Sequence, residues 1–180
     1  MSERVSEMIL LCEDDAQEQL VRFYLKKSGL NPTPPCFIPI NASRKVHGGN
    51  VRWVLHEFPR QLEACRRRHA THARTLLIVV ADADDHSVAE RRSHLDGSIG
   101  VFDTDLLVVL IPRRHVETWI RAALGHEVNE TDDYKHPTIK RDHIRAAANQ
   151  IHGWARDNPE PGPTCVDSLR ASLTQWRKIG

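Results

Sequence analysis

The chain has 180 residues, 40% of them hydrophobic and 27% charged, with a formal net charge of +1. That length is enough for one domain with a real core, without disulfides or metal staples. The composition is that of an ordinary soluble globular protein, and no run approaches the roughly 18 apolar residues of a membrane span.

Residues 1–8 (MSERVSEM) lack the apolar core of a signal peptide, so a cytoplasmic location without a membrane partner is expected. MILLC (8–12) reads as a short buried strand. Residues 14–28 then carry Leu20, Val21, Tyr24 and Leu25 at helical spacing, with Gly29 where a C′ glycine would end the helix. CFIPI (36–40) reads as a second strand, and its Pro39 points to a sheet edge. Gly48 and Gly49 break the chain before a long helical pattern from about Val51 to His69.

TLLIVVAD (75–82) is the most hydrophobic run and is expected to be the central strand. A polar helix over about Ser87–Leu95 follows, then the apolar strand LLVVLIP (106–112) and the helix VETWIRAAL (116–124). Residues 126–139 are polar and read as a loop or insertion. Two closing helices, Arg141–Arg156 and Val166–Lys178, flank the rigid DNPEPGPT (157–164). The predicted organisation is a catalytic unit over 1–125 and a polar loop with a helical extension over 126–180, packed on the same domain.

Strands without polar alternation, interleaved with helices, indicate a mostly parallel sheet of about four strands covered on both faces. Ligands of such α/β sheets gather at the carboxyl ends of the strands. Glu13 follows the first strand, Asp82, Asp84 and Asp85 the third, and Arg113, Arg114 and Glu117 the fourth. If these strands are neighbours, Glu13, Asp82 and Asp84 converge, and carboxylates that close call for a cation. Oxygen ligands suit Mg²⁺ or Mn²⁺. The i, i+2 spacing of Asp82 and Asp84, which leave the strand, turns both to one side, so that they can address one metal pair together. Capping of the following helix is the structural alternative for Asp82–Asp85.

Other features are less directive. Cys12, Cys36, Cys65 and Cys165 form no CxxC pair and read as reduced thiols. The histidines show no HxH or HExxH spacing, so His115, His126, His136, His143 and His152 are expected on the surface or on helix faces. Arg60, Arg66, Arg67, Arg68, His69 and His72 make a locally basic stretch of the kind phosphate or nucleic-acid binding uses.

Glu13 at the end of the first strand, with Asp82-Ala83-Asp84 at the end of a later one, resembles the TOPRIM fold. Primases, type IA and type II topoisomerases and OLD-type nucleases share that Rossmann-like fold. LIPRRHVETWI (110–120) also looks like the strand and helix that follow the D-x-D in small TOPRIM-like proteins of prokaryotic defence loci. The resemblance covers about residues 8–125, and Asp14 replaces the glycine many members have after the first glutamate. It implies a nuclease acting on DNA or RNA with Mg²⁺ or Mn²⁺. Asp82 and Asp84 would be its metal ligands, Glu13 either a further metal ligand or a general acid/base, Glu117 a candidate second-site ligand in the catalytic set, and Arg113 and Arg114, with Arg66–Arg68, would contact phosphate. It also implies a separately encoded ATPase partner in anti-phage defence, and a homo-oligomer is compatible with it. Two alternatives stand beside it: a non-catalytic TOPRIM-like binding module, and a receiver-like phosphoacceptor domain suggested by ILLCEDD (9–15). The receiver reading lacks the Lys-Pro pair that ends a receiver's last strand, and Asp82 lies farther along the chain than a receiver's acceptor.

Overall fold

The unbroken apolar runs become strands that are covered on both sides. In the computed structural model, which describes residues 5–47, 50–70, 74–100, 106–157 and 160–179, four strands form one all-parallel sheet. They are β1 (Glu7–Cys12), β2 (Phe37–Asn41), β3 (Thr75–Val80) and β4 (Leu107–Leu110), in the order β2-β1-β3-β4. Every residue of β3 and β4 is buried, which is why neither alternates with polar side chains. β2 is only partly buried and holds Pro39 at the edge, as the missing N–H of proline requires. Gly48, Gly49, His72, Asn158 and Pro159 lie outside the described residues.

Among the described residues six α-helices cover the sheet: α1 (Asp15–Lys27), α2 (Val51–Ala70), α3 (Val88–Asp96), α4 (Val116–Ala123), α5 (Arg141–Arg156) and α6 (Asp167–Trp176). The period of two along each strand divides the core. Met8, Leu10 and Cys12 face a cluster with α1, α4, α5 and α6, whereas Ile9 and Leu11 face α2 and α3. The architecture is therefore α/β with helices on both faces, as a Rossmann-like fold has. α5 and α6 complete the first layer. Trp176 is fully buried, its ring centroid 4.5 Å from that of Tyr24 and 6.5 Å from that of Trp119, and Tyr24 Oη donates to Trp176 O at 2.9 Å. None of the described helices is long and apolar enough to cross a membrane.

Strand order decides where chemistry can gather. From β1 the chain passes to β2 on one side, then returns across β1 to β3 and β4 on the other. The helices α1 and α2 thus leave on opposite faces, and a crevice opens at the carboxyl ends of β1 and β3. The register sets Leu11 beside Val79, so the residues that follow both strands emerge together.

Candidate metal centre

Each wall of the crevice is built by a local rule. Asp14 is the N-cap of α1, its carboxylate accepting from Gln17 N at 2.9 Å. That cap turns the helix so that the fully buried Gln17 side chain points back across the strand end. Its amide donates to Asp82 Oδ1 at 2.9 Å and to Glu13 Oε1 at 3.4 Å, while its Oε1 accepts from Glu13 N at 2.8 Å. Asp82 N donates to Glu13 Oε1 at 2.7 Å. The glutamate after β1 and the first aspartate after β3 are therefore joined directly.

The aspartates align by a turn. β3 ends at Val80, and Asp84 adopts a left-handed backbone with φ of 53°. Strand alternation, the expected cause, is replaced by this turn, which aspartate tolerates better than most residues. The turn is held on both sides. Arg91, 3% exposed, donates to Asp82 O at 3.0 Å and Ala83 O at 3.1 Å. Ala83 N donates to Pro112 O at 2.8 Å, extending the β3–β4 pairing into the loops. Arg113 Nη1 donates to Asp84 O at 3.2 Å and His86 O at 2.5 Å, and Arg114 Nη1 donates to Asp85 Oδ1 at 2.8 Å. Both guanidinium groups thus brace the loop that carries the aspartates.

The same pairing delivers His115 into the crevice. Expected on the surface or a helix face, it is 5% exposed, because it is the N-cap residue of α4 and points inward from the β4 end. Its Nδ1 lies 3.5 Å from Asp82 Oδ2 and 3.6 Å from Asp84 Oδ1. Asp82, Asp84 and His115 present ligand atoms within 4.8 Å of one another. Glu13 adjoins this trio through its bond to the Asp82 amide, and Glu117, in the first turn of α4, is buried beside it.

Charge is poorly compensated here. Burial, then the charge of Asp82, pushes the Glu13 carboxyl up to about 9, the bond from Asp82 N opposing only in part. Burial, with Asp14 and Glu117, holds Asp82 well above the ordinary carboxylate range, and burial with Asp14 raises Glu117. Burial lowers His115, favouring its neutral ring. Lys135, from the 126–139 loop, faces these groups: burial disfavours its ammonium, but Asp82, Glu117, Asp14 and Glu13 outweigh that and raise it. Asp82 Oδ2, His115 Nδ1 and Glu117 Oε2 are enclosed without a hydrogen-bond partner. Buried polar atoms rarely stay so unless something else completes them. A divalent cation fits this donor set, since it would take up the carboxylate charge and the unused lone pairs together. Beside it opens a cleft of about 340 Å³ with Asp14, Glu117 and Lys135 in its wall.

The basic stretch lies elsewhere. Arg68 pairs with Glu7, the first residue of β1, at 3.2 Å, about 20 Å of strand away from Glu13. Arg66 donates to Ile99 O and Arg67 to Glu63 Oε1. These arginines are at the amino ends of the strands and are not brought to the carboxylates. Gln17, Arg91, His115 and Lys135 escaped the sequence reading. Only His115 carried a usable signal, its position directly after a strand end already marked by Arg113 and Arg114. No protein-family model, no curated protein and no solved structure matches the chain.

Proposed function

We propose that the chain is a divalent-cation-dependent, TOPRIM-like nuclease that hydrolyses phosphodiester bonds in DNA or RNA. The observation that carries this reading is the 2.7 Å bond from Asp82 N to Glu13 Oε1, which joins the first-strand glutamate to the D-x-D of a neighbouring strand. Asp82 and Asp84 would hold the cation. When bound, a divalent cation polarises the phosphate and lowers the pKa of an attacking water.

The protein's own groups supply the rest. Glu13, raised to about 9 in the cation-free chain, exchanges its proton for the charge of a bound cation and so serves as a ligand or as an acid/base group beside the aspartates. Gln17 fixes Glu13 and Asp82 relative to each other through its amide. Lys135 sets a positive charge in the cleft wall where a phosphate would enter. Glu117, also in that wall, is a second acid for proton transfer or for holding a cation. Arg113 and Arg114 act through the loop they brace. A separately encoded ATPase partner and a place in phage defence belong to this reading through the family resemblance alone.

The test is cleavage of plasmid DNA, single-stranded DNA and total tRNA in Mg²⁺ or Mn²⁺, beside Asp82→Ala. Metal-dependent products that the substitution removes are expected. Equal products from both proteins would contradict the proposal.

The strand order favours one second reading, a receiver-like phosphoacceptor, because flavodoxin-like and receiver sheets begin 2-1-3-4 as well. Asp82 would be the acceptor, but it is 1% exposed. Labelling of Asp82 by acetyl phosphate would support that reading over the nuclease.

A further inference from the structure

His115 lies at a distance from the aspartates that a direct hydrogen bond does not explain. Such a bond would close the N···O separation to about 2.7–3.2 Å. The separations from Nδ1 are 3.5 Å to Asp82 Oδ2 and 3.6 Å to Asp84 Oδ1. Two ligand atoms each about 2.1 Å from one ion stand about 3.0 Å apart at a right angle and about 3.4 Å apart at a tetrahedral angle. The observed spacing is thus nearer to that of atoms sharing an ion than to that of bonded partners. Nδ1 and Asp82 Oδ2 are both enclosed and without a partner, on residues 5% and 1% exposed. On the far side of the ring Nε2 faces Asp133 Oδ1 at 3.8 Å. At that separation the carboxylate is an electrostatic neighbour of the ring and not a hydrogen-bond partner.

We infer that His115 offers Nδ1 as a nitrogen ligand beside Asp82 and Asp84, and that the site prefers a divalent transition ion to Mg²⁺. This rests on the cation-dependent reading above and goes beyond it, since an all-oxygen set would not discriminate in this way. Mg²⁺ demands octahedral oxygen ligands and sheds water reluctantly, whereas the divalent first-row ions accept imidazole nitrogen more readily, Mn²⁺ being the weakest binder of that series and so the most stringent probe.

The experiment is calorimetric titration of the purified chain with Mn²⁺ and with Mg²⁺, joined to electron-spin-echo spectroscopy of the Mn²⁺-loaded wild type. Wild type should bind Mn²⁺ at least about tenfold more tightly than Mg²⁺, and the Mn²⁺ spectrum should carry modulation from a directly bound nitrogen. His115→Ala should abolish that modulation and reduce Mn²⁺ affinity about tenfold or more, with Mg²⁺ affinity changed less than about threefold. His115→Asn, which puts an oxygen near the place of Nδ1, should shift preference back toward Mg²⁺. Wild-type spectra without nitrogen modulation would overturn the inference whatever the variants do. So would equal loss of both metals in His115→Ala, or no metal binding at all. Nitrogen-bound Mn²⁺ in a chain that cleaves no nucleic acid would sustain this inference and sink the nuclease instead.

Discussion

At the amino ends of the strands Glu7 meets Arg68 at 3.2 Å on half-buried side chains, and Arg67 meets Glu63 at 3.3 Å on side chains open to water. Six residues along β1 the pattern reverses. Glu13, Asp82 and Glu117 are buried together with Lys135 as the cation that faces them, and three of the enclosed polar atoms there lack partners. One end of the sheet balances its charges locally, and the other concentrates like charge where burial makes it costly. A chain retains such an arrangement where chemistry uses it, because perturbed groups in a cleft are the raw material of acid/base and metal sites. The basic stretch looked attractive on sequence grounds, but it belongs to the balanced end.

The largest effect that would break this contrast is loss of the brace beneath the aspartates. Arg91→Ala should destabilise the fold by about 2–4 kcal/mol, measured by denaturant unfolding, because two buried carbonyls lose a charged donor. It should also weaken metal binding. A denaturation midpoint unchanged from wild type would mean that the Asp82–Asp84 turn holds itself.

The pH dependence sharpens the same contrast. The Glu13 carboxyl has an ordinary value of 4.5 and about 9 in the folded chain. Between these values the folded state keeps a proton that the unfolded state has released, so stability in chelator should fall as pH rises across that window. Added divalent cation competes with that proton, and the gap in Tm between metal and chelator should widen toward pH 9. A flat profile would show that the site is already compensated.

Relief of repulsion is a smaller effect. Asp82→Asn should raise the stability of the cation-free protein by about 1 kcal/mol and remove the stabilisation by metal, the usual opposition between site strain and stability. Smallest of all, Glu7→Gln at the amino end should cost about 1 kcal/mol and leave metal binding intact, because the pair is only half-buried and the amide oxygen can still accept from Thr75 Oγ1.

These effects fall on residues that differ in how plainly the sequence shows them. The strands are plain because a parallel strand covered on both faces must be apolar throughout, as TLLIVV is, and Pro39 marked the edge for lack of an N–H. Glu13 and Asp82 were visible because acids directly after such runs have few structural reasons to be there. His115 was not, since a lone histidine after two arginines has no periodicity to betray its burial. Lys135 was hidden for a different reason. Its loop folds back through distant contacts, Glu130 on Ser168 and Tyr134 against Arg121, that no local pattern announces. The arginines at 66–68 stand apart from the acids because local composition ignores topology: their helix, α2, runs toward the amino ends of the strands.

A cation-dependent nuclease site is tested most directly by the initial rate at which wild type and Asp82→Asn cleave end-labelled DNA and RNA, with Mn²⁺ and then with excess chelator. Chelator should stop cleavage and the substitution should reduce it by about a thousandfold, the scale of a lost metal contribution. Wild type and Asp82→Asn cleaving at the same rate, or cleavage that persists in chelator, would contradict the nuclease reading.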